Sequence, residues 1–343
     1  MKRSSEIDVM RSIALMLIFI AHLSSVSEKI LNLRSFDVVT MVFLAGFSYR
    51  LSNNKKNEKY MIYLWKRLKK LLFTTWIFLS VLFSSVIMLK HSFQPWGWIR
   101  IIQSFLLYDG IGYVWFIRVI LMLAIISPIF YKLLVWMKNS AQRLWIIIIC
   151  WIGSYTIVLL FYNITLGKIN FLFSLIIYLF PIYLLGYSIV YYLGMVYIDL
   201  SVKTKFTILC FSGVMYIFCL IETNLSVIDD KYPPGIIYLS YGIFISCILY
   251  EILHKFYINR KCSKYITWIS KHSFDIYLLH IIPLLIIKYS DNNIIFIIKN
   301  HSILEMIFIC LITGLSSILL EVIKNKIKVK RSKKNDSYRS SRI

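Results

Sequence analysis

The sequence predicts an all-α polytopic membrane protein, a bundle of about ten transmembrane helices with both termini in the cytoplasm. Three observations predict it. The 343 residues are 59% hydrophobic and 16% charged, with a mean hydropathy of +0.72, whereas soluble domains run nearer ~45–50% apolar and about 25% charged. Apolar runs of membrane length recur along the chain, with no alternation of strand length among them. With the N-terminus set in the cytoplasm, 29 of the 39 Lys and Arg residues face inward and 8 outward, as the positive-inside rule requires. The formal charge of +23 is therefore topological, and no nucleic-acid partner is expected.

Runs of about 17–25 apolar residues place spans at 8–26, 35–51, 70–89, 113–133, 144–162, 171–193, 206–221, 236–253, 272–289 and 302–323. The first follows a short basic start, Lys2 and Arg3. Its internal charges and the lack of an A-x-A cleavage site make it an anchor rather than a signal peptide. The third is led in by "NNKKNEKYMIYLWKRLKKLL" (53–72). That basic amphipathic stretch suits an anchor on anionic lipid, and Lys66, Arg67, Lys69 and Lys70 also suit a polyanionic cytoplasmic ligand. After the tenth span the chain ends in a cationic segment expected to be irregular. This divides it into a transmembrane domain, 1–323, and a basic cytoplasmic tail, 324–343. No repeat of 20–50 residues is visible. Cys150, Cys210, Cys219, Cys247 and Cys310 fall in spans, Cys262 is cytoplasmic, and none has metal-ligand spacing. No metal is expected.

Two external loops contain mixed chemistry. Residues 90–112 combine Trp96 and Trp98 with Gln94, Arg100 and Asp109, and residues 222–235 set Glu222, Asp229 and Asp230 against Pro233 and Pro234. Rings that stack on pyranose faces and carboxylates that accept hydroxyl hydrogen bonds suit a sugar ligand. An interfacial aromatic belt with a solvated acidic loop gives the same pattern.

The first span raises the sharpest question. Asp8, Arg11 and His22 interrupt "EIDVMRSIALMLIFIAHL" (6–23), although a charge in a membrane helix costs about 2.5–3.5 kcal/mol on insertion scales. At about 100° and 1.5 Å per residue, all three lie on one stripe, with Asp8 and Arg11 close enough to pair and His22 about 16 Å beyond Arg11. Such a stripe must face the bundle interior or a cavity. A long ligand with an anionic end at Arg11 and a reactive end at His22 fits that spacing, and coenzyme A thioesters have that shape. A topology-setting Asp–Arg pair with a hydrogen-bonded core histidine is the structural alternative.

Several stretches resemble the membrane acyltransferase family 3. Residues 6–23 are similar to its N-terminal signature, an acid and an arginine leading into an apolar helix that ends in a histidine. "VFLAGFSYR" (42–50) is similar to its aromatic–small–Gly–aromatic turn, with Ala45 where a serine is common. "YLWKRLKKLL" (63–72) resembles its basic lead-in, and "YVWFIRVILMLAIISP" (113–128) its Trp-Phe helix closing on a proline. "SFDIYLLHIIP" (273–283) resembles its late Ser-Phe-x-Ile-Tyr-Leu-x-His segment, with Asp275 where a small residue is frequent. These blocks occur in order over essentially the whole chain.

The resemblance implies an O-acyltransferase of the bacterial inner membrane. It would move an acyl group, usually acetyl, from cytoplasmic acetyl-CoA to a hydroxyl of a lipid-linked or surface glycan such as O-antigen, capsule or exopolysaccharide. By the same resemblance His22 is the catalytic histidine and Arg11 the essential arginine, with Asp8 orienting it. Arg11, Arg67 and Lys70 are the candidate donor contacts. Trp115, Arg118, Tyr277 and His280 are the candidate substrate contacts, although a packing role suits His280 equally and Arg118 has Asp109 as a possible ion-pair partner. Histidine near neutral pKa suits a general base for a weakly nucleophilic hydroxyl, and an acyl-histidine intermediate is the other route. A polysaccharide exporter or flippase without acyl-transfer chemistry is the alternative function, and oligomeric state stays open. Some family members have an extra esterase-like domain, for which this length leaves no room.

Overall fold

The computed structural model describes residues 4–53, 60–90, 97–108, 110–138, 140–165, 180–257, 263–290 and 292–340. Among these residues every regular element is helical. They are α1 (Ser5–Ile20), α2 (Glu28–Leu33), α3 (Asp37–Asn53), α4 (Tyr60–Leu68), α5 (Thr74–Lys90), α6 (Trp98–Phe105), α7 (Trp115–Met137), α8 (Ala141–Thr165), α9 (Phe180–Val196), α10 (Val202–Thr223), α11 (Ile236–Tyr257), α12 (Lys264–Leu279), α13 (Ile281–Tyr289), α14 (Asn293–Asn300) and α15 (Ser302–Ser340). A π-helical turn, Lys69–Phe73, joins α4 to α5.

Among the described residues nine helical segments are long and apolar enough to cross a membrane. The first expected span is the one missing from that set. Its helix, α1, has 16 residues and rises only about 24 Å, short of a hydrocarbon core of about 30 Å. It is instead wrapped by α3, α11 and α12, and Met10, Ala14, Leu15 and Phe19 are buried. A short, enclosed helix is a place where Asp8 and Arg11 can avoid lipid altogether. The outer faces of the longer helices expose Ile77, Val81, Ile149, Ile157, Phe218 and Leu311, the apolar surface that a bilayer would solvate.

The closest helix crossing lies between α3 and α9. A Cβ on Gly46 would sit 1.9 Å from the Tyr191 carbonyl oxygen, and one on Gly194 2.0 Å from that of Phe43. Each glycine therefore admits the other helix's backbone, the small-residue contact that membrane helices use. The crossing holds the C-terminal half of α3, with Ser48, against α9 and Tyr191. On the opposite side α12 packs along α1. Its start is set by Ser263, whose hydroxyl accepts the Ile266 N–H at 3.3 Å.

Three helix ends differ from the sequence reading. The ninth expected span, 272–289, is two helices, α12 and α13, interrupted at His280. Pro283 explains the break, since its ring crowds the carbonyl of Leu279 and it has no N–H to offer. His280 thus lies at a junction rather than mid-helix. Pro128 does not close its helix, because α7 runs through it to Met137. Finally, α15 continues past 323 to Ser340, where an irregular tail was expected. No Gly or Pro lies between Ser316 and Ser340 to stop it.

Candidate active site

Polar residues of α1 are held by α12 and α3. The Ser270 hydroxyl donates to Asp8 Oδ1 at 2.6 Å and accepts from Arg11 Nη1 at 3.0 Å, while Arg11 Nη2 donates to the Ser48 hydroxyl at 2.8 Å. Ser48 in turn donates to the Leu44 carbonyl at 2.6 Å. Each hydroxyl has one proton to give and lone pairs to receive, so both direct theirs away from the guanidinium and present oxygen to it. Asp8 is 4% exposed and lies in the first turn of α1, where a carboxylate is favoured by the unpaired N–H groups of the helix end. Ala45, at the position where the family commonly has serine, offers only a methyl group. Ser48, three residues on, supplies the hydroxyl.

Arg11 opens onto a cavity of about 340 Å³, within the usual range of small-molecule sites. Arg11, Arg67, Lys70 and Lys271 line it together with Tyr63, Phe116 and Tyr277. Lys70 and Lys271 are exposed at the rim, while Tyr277 is buried. The Arg67 guanidinium sits over the Tyr63 ring at 5.5 Å. Lys70 belongs to the π-helical turn, a local widening that re-aims side chains and often occurs at functional sites. The three sequence-predicted donor contacts thus share one cavity.

Of the other predicted residues, His280 and Tyr277 lie near His22, which is two positions past the end of α1, where its N–H donates to the Phe19 carbonyl at 3.0 Å. The His22 ring is 5.0 Å from Tyr113 and 5.6 Å from His280. His280 is fully buried, stacks on Phe19 at 5.3 Å, and lies 5.4 Å from Tyr277. Its Nδ1 contacts the Tyr277 carbonyl oxygen. That oxygen can only accept, so Nδ1 donates to it. The buried Nε2 has no hydrogen-bond partner among the described residues. Tyr277 donates its hydroxyl to the Tyr113 carbonyl. His22 itself does not line the cavity. It is two ring contacts from the cavity wall, through His280 and then Tyr277.

Trp115 and Arg118 form a separate group joined by Tyr183. Trp115 is 5.9 Å from the Tyr183 ring and 5.4 Å from Tyr232. Arg118 lies over Tyr183 at 5.4 Å and over Tyr108 at 5.9 Å, and it donates to the Tyr108 carbonyl at 3.2 Å. Asp109, its suggested partner, lies outside the described residues, as do Gln94 and Trp96. Trp98 is exposed.

In the acidic loop, Asp229 and Asp230 make local contacts. Asp229 accepts from the Ser226 hydroxyl at 2.7 Å and its N–H at 3.1 Å, which holds this carboxyl below its ordinary range. Asp230 turns inward and accepts the Tyr238 N–H at 3.1 Å at the start of α11. Burial pushes it up to about 6. These carboxylates shape the loop. Asp275 is also elsewhere, paired with Lys324 of α15 at 2.8 Å.

Sequence reasoning missed Ser270, Ser48 and Lys271. Ser48 stood inside a quoted motif, but Ser270 is 259 positions from the arginine it receives, and nothing local marks it.

Comparison with known proteins identifies the family. The family model described as an acyltransferase domain matches residues 4–322. No curated protein and no solved structure matches the chain.

Proposed function

The chain belongs to the membrane acyltransferase family 3, and from that premise we propose that it transfers an acyl group, most simply acetyl, from coenzyme A to a sugar hydroxyl. The acyltransferase assignment and the multi-pass membrane fold follow from the family and the nine apolar segments. Acetyl-CoA as donor, a surface or lipid-linked polysaccharide as acceptor, the cytoplasmic face as entry side and the bacterial inner membrane as location are the finer parts of the proposal.

The observation that supports it best is the shared cavity of Arg11, Arg67, Lys70 and Lys271. Four cations at one opening suit the phosphates of coenzyme A, which bind arginine through paired N–H donors. Phe116 and Tyr277 also line the cavity, an apolar lining that suits a pantetheine arm. Arg11, fixed from two sides by serine hydroxyls, would hold an anionic or carbonyl oxygen of the donor without first having to order itself.

His22 acts as general base in this reading. It takes the proton of the sugar hydroxyl as that oxygen attacks the thioester carbonyl. The new C–O bond forms a tetrahedral intermediate, whose collapse breaks the C–S bond. The released thiolate of coenzyme A takes up a proton, and the ester leaves with the sugar. The His280 ring lies 5.6 Å from that of His22, so it suits orienting the base rather than replacing it.

The test is the O-acetyl content of surface polysaccharide, read by NMR, in a strain lacking the protein. The strain is complemented with wild type or His22→Ala at matched membrane levels. Restoration by wild type alone is the expected result. Equal restoration by both would remove His22 from the chemistry, and loss of polymer without change in acetylation would favour an exporter.

A further inference from the structure

A second buried charge cluster has no part in the donor cavity. Asp37 Oδ2 accepts from Arg34 Nη1 at 2.6 Å, and Asp37 Oδ1 accepts from Lys231 Nζ at 3.4 Å and from the Val38 N–H at 2.8 Å. Arg34, Asp37 and Lys231 are 5%, 1% and 4% exposed. Two cations therefore share one carboxylate out of contact with water. The neighbouring acid, Asp230, directs its carboxylate to the Tyr238 N–H. Arg34 Nε is buried without a hydrogen-bond partner among the described residues. Removing charge from water costs several kcal/mol per ion unless a counter-charge repays it. Burial accordingly lowers the pKa of Lys231, against the opposing pull of Asp37.

The surroundings indicate what would supply the missing negative charge. The Lys231 ammonium sits over the rings of Tyr232 at 5.6 Å and Tyr238 at 5.7 Å. Tyr232 is 54% exposed and its ring meets Trp115 at 5.4 Å. An accessible aromatic pair suits the apolar face of a pyranose ring. Two buried cations next to it suit an anionic substituent on that ring.

We propose that Arg34 and Lys231, clamped by Asp37, form an anion subsite for the carboxylate or phosphate of an acidic acceptor glycan whose sugar ring lies against Trp115 and Tyr232. That the bound glycan is an acceptor rests on the acyl-transfer reading; that it binds does not. The subsite makes the enzyme selective for charged sugars over neutral ones of the same size. Arg34, just after α2, and Asp37, at the start of α3, are neighbours in sequence, and the fold brings Lys231 to them from the loop before α11.

The test uses the full chain in nanodiscs and isothermal titration with three probes: a hexuronate oligosaccharide, its carboxyl-reduced neutral counterpart, and a sugar phosphate. Wild type is expected to bind at least one charged probe about tenfold or more tighter than the neutral one. The stronger of the two charged probes identifies the anion. Lys231→Met should bring the ratio close to one, whereas Lys231→Arg should keep most of it. Equal binding of charged and neutral probes by wild type overturns the proposal without recourse to any variant. A ratio unchanged in Lys231→Met overturns it as well. Coenzyme A release is measured on the same preparation. Discrimination lost while His22-dependent release persists removes the subsite alone. Discrimination retained without any release supports the subsite and contradicts acyl transfer.

Discussion

Asp8 and Arg11 are joined through Ser270, whose hydroxyl donates to Asp8 Oδ1 at 2.6 Å and accepts from Arg11 Nη1 at 3.0 Å. The pair sits three residues apart on α1, so both side chains point to the same neighbour. One hydroxyl from α12 then serves an acid and a base at once. The guanidinium is held at two nitrogens before any ligand arrives, and the cost of ordering it has been met in folding.

Ser270→Ala should loosen that arrangement without emptying the membrane of protein. It leaves buried Asp8 with one donor fewer, a penalty of about 1–3 kcal/mol. The expected readout is a rise in donor KM on the order of tenfold, with a smaller change in kcat. An unchanged KM would mean that Arg11 does not depend on Ser270 for its position.

Arg67→Gln and Lys70→Gln should each weaken acyl-CoA binding, and salt should weaken the wild type in the same direction. Lys70 lies exposed at the cavity rim, where screening acts over about 8 Å at physiological ionic strength. The variants are therefore expected to show a shallower dependence of donor KM on salt than wild type. Parallel salt curves would place neither residue on the phosphates.

Gly46→Ala and Gly194→Ala test the helix crossing. Each Cβ would meet a carbonyl oxygen at 1.9 or 2.0 Å, so α3 and α9 must part. Overpacking of that kind costs typically about 1–3 kcal/mol and sometimes more. Lower thermal stability of the detergent-extracted protein, and less protein in the membrane, are expected for both. Wild-type stability in either would mean that the crossing is looser than its geometry.

The Asp230 carboxyl gives a pH test outside the membrane spans. Burial raises it from 3.8 to about 6, so the folded protein binds this proton more tightly than the unfolded chain does. Its stabilising share is full below about 4 and is lost as pH rises through about 6. Asp230→Asn keeps an acceptor for the Tyr238 N–H and cannot ionise. Melting curves should therefore show the variant gaining on wild type between pH 4 and pH 7, and a constant difference would contradict the shift.

Much of the bundle was legible because lipid imposes a simple demand. Runs such as 113–133 and 236–253 had to be helices, and α7 and α11 lie over them. The ends were less legible, since a helix end depends on local chemistry: Pro128 was tolerated within α7, while Pro283 broke the chain at His280. At the site, the spacing of Asp8 and Arg11 was readable from the helical repeat, and Arg67 and Lys70 from the charge pattern and the family resemblance. Ser270 and Lys231 were not. Each works through contacts with residues at least 190 positions away, and a lone serine or loop lysine looks the same with or without such a partner. The acids of 222–235 left two readings open, because carboxylates that bind backbone N–H groups and carboxylates that bind sugars have the same sequence.

The most direct measurement is transfer of labelled acetyl from acetyl-CoA to glycan by the purified protein in nanodiscs, comparing wild type with His22→Ala. Donor binding is measured on the same samples. The account predicts transfer by wild type and a loss of at least about a hundredfold in the variant, with donor affinity retained because the Arg11 cavity is intact. Transfer by His22→Ala at the wild-type rate would contradict it.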